Sequence, residues 1–182
     1  ALIRYRGNSS RFFEKKGLRL KLVTKNGNDK PYKLLGLSSD SDYALHGPYL
    51  DKTLLRNYLG YNITGEVMEY SPNVRFVEVF VNGEYQGVYL LVETIKVNKN
   101  RVNVSKLEKN SKVTSYLLEI ATRRGGEDIE YLNNFTWYTK RIKDRSQYNI
   151  KYPNYGSLNE ELYEYINKDI SDFERILYSY DY

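Results

Sequence analysis

The chain has 182 residues, a length that suits one domain segment with a core of its own. Hydrophobic residues make up 41% and charged residues 28%, which excludes a disordered chain, and no run approaches the ~20 apolar residues of a membrane-spanning helix. With no Cys and a single His, a disulfide framework, a thiolate metal site and a multi-histidine metal site are excluded as well.

Net charge is +5 and uneven: Lys96 to Lys151 holds 13 basic and 6 acidic residues, and the remainder is slightly acidic. Such a basic stretch suits phosphate, nucleic acid or an anionic surface, and a solvated face explains it as well. Tyr alone supplies 20 residues, so many hydroxyls must sit at the boundary of the core, where each finds water or a partner.

Residues 2–6 read as a short strand leading into the polar turn Gly7-Asn8-Ser9-Ser10. Leu18, Leu20 and Leu22 alternate with Arg19, Lys21 and Val23, the period of a half-buried strand. That parity sets Arg19 and Lys21 opposite the leucines. A turn follows at Lys25 to Asp29. Gly36, Gly47, Pro48 and a Ser/Asp cluster predict an irregular loop over 36–49. Asp51 predicts a capped helix running through Met68, with Leu55, Leu59, Asn62 or Ile63, and Val67 at helical spacing.

Val74–Glu93 predicts a tight antiparallel hairpin turning at Asn82-Gly83, a pair that accepts the double positive φ of a type I′ turn. An unbroken register pairs Phe80 with Tyr85, Val77 with Val88 and Phe76 with Tyr89, and leaves Gly87 opposite Glu78, open to close approach. Beyond Glu93 come a basic connector, a strand at Ser115–Ile120, a turn at Arg123–Gly126, an aromatic strand at Phe135–Thr139 and a polar stretch over Arg141–Asn149. Two capping boxes, Ser157 with Glu160 and Ser171 with Glu174, predict two terminal helices. Leu162 and Ile166 supply the buried face of the first, and Phe173, Ile176 and Leu177 that of the second.

Arg6-Gly7-Asn8-Ser9-Ser10 combines a glycine turn, small hydroxyls and a cation, which suits phosphate and equally suits a plain turn. Lys15, Lys16, Arg19 and Lys21 add cations beside it. No GxxxxGK[ST] run is present, so a P-loop is excluded. Arg56, at the head of the predicted helix, suits an internal ion pair, or a carboxylate or phosphate ligand. His46 reads as a loop-packing residue rather than a general base. Asp40-Ser-Asp42 suits calcium, and solvated loop acids explain it more simply.

In this order and spacing the blocks resemble the spore coat protein H (CotH) kinase family, a group of atypical protein kinases. The resemblance is carried by Arg6-Gly-Asn-Ser-Ser10, Lys15-Lys16 with Leu18-Arg-Leu-Lys-Leu22, and Leu45-His-Gly-Pro-Tyr-Leu-Asp51 with Leu55-Arg-Asn57. Val79-Phe-Val-Asn-Gly-Glu-Tyr-Gln-Gly-Val-Tyr-Leu-Leu-Val-Glu93 and Arg101-Val102 complete it. It implies an α+β fold, an antiparallel β-sheet with packed helices like the N-lobe of a kinase-like fold over residues 1–122. A connector and the first helices of the next lobe would follow over residues 123–182.

The resemblance further implies ATP and magnesium for the complete domain, and Ser/Thr phosphorylation of a coat or surface protein on a bacterial spore or cell surface. Nucleic acid is not an expected partner. The nucleotide-binding residues it implies are Arg6, Ser9, Ser10, Lys16, Lys21, Arg56 and Glu93, with Lys21 on the phosphates and Glu93 near the adenine. The Asn-x-Asp and Trp-Asp-x-Asp-like stretches that the family carries after the closing helices do not follow them here, so no catalytic or metal-binding residue is assigned. Phosphoryl transfer needs metal ions to neutralise developing charge. The expectation is therefore a nucleotide-cradling part, inactive alone and ending before the catalytic lobe. The alternative is an extracellular binding module for carbohydrate or a coat protein partner, with Trp137 and Tyr138 as a stacking surface.

Overall fold

In the computed structural model, which describes residues 1–122, 146–177 and 179, the alternating segments of the first hundred residues pair into one antiparallel sheet. Its strands are β1 (Leu2–Arg6), β2 (Gly17–Lys21), β3 (Asp42–His46), β4 (Val74–Val81) and β5 (Glu84–Glu93), in the order β1-β2-β3-β5-β4. One helix, α1 (Arg56–Val67), connects β3 to β4. These elements form a compact unit, Ala1–Asn103. A second unit, Val104–Tyr182, holds β6 (Leu117–Thr122), β7 (Ser146–Tyr152) and α2 (Glu160–Leu177). The fold is α+β, an antiparallel sheet with helices. The turn expected at Arg123–Gly126 and the aromatic strand at Phe135–Thr139 lie outside the described residues.

The segment 36–49 is not an irregular loop throughout, because Asp42–His46 is a central strand paired with β2 on one side and β5 on the other. Four of its five residues are buried and only His46 is half-exposed, so neither face alternates in polarity and no period stood out. Tyr43 and Leu45 join Leu18, Leu37, Tyr89 and Leu91 in one apolar cluster. Ala44 faces the other way and joins Val74, Leu90 and Val92, over which Tyr58 and Tyr61 of α1 pack. Leu90, Leu91 and Val92 are accordingly buried in succession, as the apolar end of β5 predicts.

Asn82 and Gly83 turn the hairpin with φ of 52° and 87°, the double positive φ of a type I′ turn. Phe80 faces Tyr85 as expected, their ring centroids 5.0 Å apart. One residue further the register slips, so that Val79 faces Gly87 and Gln86 is left without an opposite residue. Gly87 takes φ +93°, which an L side chain rarely adopts, and absorbs the extra residue as a β-bulge. The remaining pairs are therefore corrected by one: Val77 faces Tyr89, Phe76 faces Leu90 and Glu78 faces Val88. The close approach expected at Gly87 is made by Lys15. Its Nζ lies 3.2 Å from where a Cβ would stand and donates to the Val88 carbonyl at 2.5 Å. The ammonium thus caps the edge of β5 just beyond the end of β3.

α1 begins at Arg56 rather than directly after Asp51, yet the Asp51 carboxylate organises its entrance. Oδ2 accepts the Arg56 N–H at 2.9 Å, and Oδ1 accepts the N–H and hydroxyl of Thr53 at 3.1 and 2.6 Å. The apolar row that announced the helix is exposed, from Leu55 and Leu59 to Ile63 and Val67. Its packed side is made by Tyr58 and Tyr61, whose rings span the space above the small side chain of Ala44; Tyr58 stacks on Phe76 at 4.9 Å.

In the second unit β6 pairs antiparallel with β7, so the polar stretch expected over Arg141–Asn149 ends within a strand. α2 is one continuous helix, not two. Asn159 Oδ1 accepts the Leu162 N–H at 2.8 Å and is the side-chain cap in place of Ser157. The Ser171 hydroxyl donates back to the Asn167 carbonyl at 2.6 Å, a bond made inside a helix rather than at its start. Leu162 and Ile166 are buried as expected, Ile166 against Ile150, whereas Phe173, Ile176 and Leu177 are exposed.

Glu93 ends β5 with its side chain fully enclosed. Arg101, also 0% exposed, reaches its Oε1 with Nη1 at 3.1 Å. Oε1 further accepts the Ser38 N–H at 2.7 Å, and Oε2 accepts the Asn73 N–H and side-chain amide at 3.1 and 3.2 Å. Arg101 in turn donates to the Ser38 and Asn100 carbonyls and lies over the Tyr43 ring. Burial, with the Glu93 charge beside it, pushes the Tyr70 hydroxyl up to about 12. Replacing one member of a buried pair strands the other charge and costs about 3–5 kcal/mol. Arg101→Met should therefore lower the urea midpoint at pH 7 sharply, and a midpoint matching the parent protein would refute this role.

Candidate functional site

β1 pairs with β2 so that Leu2 faces Lys21, Arg4 faces Arg19 and Arg6 faces Gly17. Residues paired directly across a ladder share a face of the sheet. Arg4, Arg6, Arg19 and Lys21 therefore stand together on the side opposite Leu18 and Leu20. It is also the side on which α1 packs, since Arg19 faces Ala44 across the next ladder. Leu18 pairs with Leu45, so the row containing Arg6 and Gly17 continues through His46 and Leu90 to Phe76. The Asn57 side chain, in the first turn of α1, and the charges of Arg6 and Asp51 all act on the His46 imidazole. Side chains from β1, β3 and α1 thus meet around one glycine.

Two of the four cations on this face are neutralised. Arg19 donates to Asp42 Oδ1 from Nη2 at 2.6 Å and from Nε at 3.1 Å, and Lys21 pairs with Asp29 at 2.7 Å. Lys96 bridges Asp40 and Asp42 at 2.7 and 3.2 Å. Arg4 and Arg6 are exposed and have no carboxylate partner among the described residues. Burial pushes the carboxyls of Asp40 and Asp42 up, but hydrogen bonds from Lys96, Arg19 and Asn98 outweigh it and hold both below the usual range. Burial pushes His46 down against the opposing pull of the Asn57 side chain. The imidazole is therefore neutral near pH 7.

The residues singled out in the sequence divide between two sides of the sheet. Arg6 and Lys21 share the cationic face, with Arg56 at the head of α1, its Nε 3.7 Å from Asp51 Oδ1. Ser9 and Ser10 sit in the helical turn after β1, where the Ser10 hydroxyl folds over Gly7 at φ +119°. A pocket of about 450 Å³ opens against Tyr5, Gly7, Asn8, Arg11 and Phe12 of that turn. Lys16 is turned the other way, donating to the Phe13 carbonyl at 3.0 Å and lying over the Tyr5 ring. Both carboxylate oxygens of Glu93 are engaged within the protein. Trp137 and Tyr138 lie outside the described residues. Among the described residues no group of three or more Asp, Glu or His side chains is placed to hold a metal ion. They offer the magnesium implied by the resemblance no cluster of three carboxylates.

Nothing in the sequence singles out Arg4 or Lys96; Asn57 stands there only as a neighbour of Arg56, Asp40 and Asp42 as loop acids, and His46 as a loop residue. Arg4 was within reach of the parity that found Arg19 and Lys21. Asn57 and His46 were hidden by the missed strand, and Lys96 reaches its carboxylates over more than fifty residues of chain.

Residues 3–181 match the family model described as CotH kinase protein. The chain is 30% identical over 93 residues to inner spore coat protein H of Bacillus subtilis (strain 168); the match covers 51% of this chain and 23% of that relative.

The depressed carboxyls make stability depend on acid. Each contributes stability that is present above the unfolded value of ~3.9 and is lost as pH falls through its lower folded value. Lys96→Met removes the cation shared by Asp40 and Asp42 and raises both. Acid unfolding followed by far-UV circular dichroism should then begin at higher pH than in the parent protein, and an unmoved curve would exclude this contribution.

Proposed function

Since the chain belongs to the CotH kinase protein family, we propose that Ala1–Asn103 holds ATP by its phosphates, as the nucleotide-cradling part of a protein kinase. The observation that carries this reading is the face shared by Arg4, Arg6 and Lys21 beside the head of α1. Two exposed guanidinium groups with no carboxylate partner among the described residues favour an anion of high charge there, and guanidinium forks suit phosphate oxygens. The order β1-β2-β3-α1-β4-β5 fits the kinase plan, in which a strand and the helix after it flank the phosphates. Glu93 enters as the internal anchor of the chain leaving β5 rather than as a ligand to adenine.

The whole protein, in this reading, transfers the terminal phosphate of ATP to Ser or Thr of a coat or surface protein, with the catalytic acids lying outside the assigned residues. The name of the Bacillus relative supports a place in the spore coat.

Thermal unfolding with and without ATP tests the reading. A ligand present at about a hundred times its Kd stabilises by about 2.7 kcal/mol, a shift of several degrees. The gain should shrink in Arg6→Ala and, less, in Lys21→Ala, which also loses an ion pair. No shift with millimolar ATP, or an equal shift in all three proteins, would overturn it.

A further inference from the structure

We infer that Gly17, flanked by Arg6 and His46, is the floor of a seat for a phosphoryl group of ATP, and that His46 contacts that group in its protonated form. This rests on the nucleotide reading above and adds the seat and the residue.

Gly17 is the starting observation. Glycine inside a strand weakens it, so its presence needs a reason. Backbone conformation does not supply one, since Gly17 is not among the glycines with positive φ. The main chain of β1 does: a Cβ here would stand 3.2 Å from the Arg6 carbonyl oxygen, tighter than a Cβ normally packs. The consequence of that close approach is a row with no side chain between a guanidinium and an imidazole on one face.

The walls of that gap have the chemistry of an oxyanion site. Arg6 offers a planar fork of donors from β1. From β3, His46 is steadied by Asn57 of α1 and offers a second donor. The charged and polar groups that face His46 are Arg6 from β1, Asp51 from the loop before α1, and Asn57 from α1, with Arg56 held against Asp51. Its neighbour on β5, Leu90, is uncharged. Without an anion, burial and Arg6 both disfavour a proton on His46. A phosphate over Gly17 reverses this balance by placing negative charge between the two cations.

Proton and phosphate binding are then reciprocally coupled. Phosphate raises the pKa of His46, and affinity strengthens as pH falls through the raised value. It is weakest, and flat, above that value.

His46 is the sole histidine of the 182 residues, so imidazole resonances in a proton NMR titration belong to it alone. Saturating ADP should raise its titration midpoint by about one pH unit, which by linkage means about tenfold tighter binding at low than at high pH. Adenosine should leave the midpoint in place. His46→Gln, checked for an unchanged thermal midpoint, should lose this tenfold strengthening at low pH and keep only the pH dependence that the ADP phosphate's own ionisation imposes. A midpoint unmoved by bound ADP, or the parent's tenfold strengthening at low pH retained in His46→Gln, overturns the inference while the nucleotide reading stands. Failure of the parent chain to bind ADP at millimolar concentration overturns the reading itself, and this inference with it.

Discussion

The enclosed carboxylate of Glu93 is the constraint on which the first unit depends. A charge taken out of water is expensive, and geometry offsets that cost only when its oxygens are satisfied. Here they are engaged by Arg101, by the main chain at Ser38 and by the main chain and side chain of Asn73. The end of β5 is thereby tied to the loop before β3, the segment before β4 and the turn at 98–101. A shared ion pair does what a larger core would otherwise do.

With that end fixed, the sheet can keep its two sides chemically different. One is apolar, where Leu18, Tyr43, Leu45, Tyr89 and Leu91 gather. The other is half core and half cation: α1 covers Ala44, Leu90 and Val92, while β1 and β2 extend past it with arginines. The bulge at Gly87 makes this division possible, since it moves Tyr89 opposite Val77 and so onto the apolar side. Lys15 then closes the open edge that the bulge creates.

What the sequence disclosed follows physical lines. The hairpin was legible because Asn82-Gly83 is a local signal that acts on neighbours. β2 was legible because Leu18 and Leu20 face a core while Arg19 and Lys21 do not. β3 was not, because a strand buried on both faces has no alternation to read, and Asp42 at its head counted as a loop acid until Arg19 and Lys96 neutralised it. The bulge at Gly87 was hidden because nothing in the spacing distinguishes a missing side chain from an extra residue. For the candidate site, parity alone placed Lys21 and Arg19, but the meeting of Arg6, His46 and Asn57 needed a strand and a helix start that were read elsewhere. The two chain-terminal helices merged because Ser171 has a carbonyl four residues back to satisfy its hydroxyl.

The placement of charge on β1 and β2 runs against the needs of the fold. Arg4 directly faces Arg19, and like charges across a ladder destabilise a sheet. Arg19 is compensated by Asp42, but Arg4 and Arg6 have no such partner among the described residues, and Gly17 beside them gives up both packing and strand propensity. Sequences that specify a fold keep local choices consistent with it, and departures concentrate where function demands them. Three departures lie in adjoining rows of two strands. They are of one kind, each leaving positive charge or space on the same face. The close approach of the β1 main chain requires the glycine, but neither it nor a packed edge requires unpaired arginines beside it. An anion that enters between the strands and α1 accounts for all three at once.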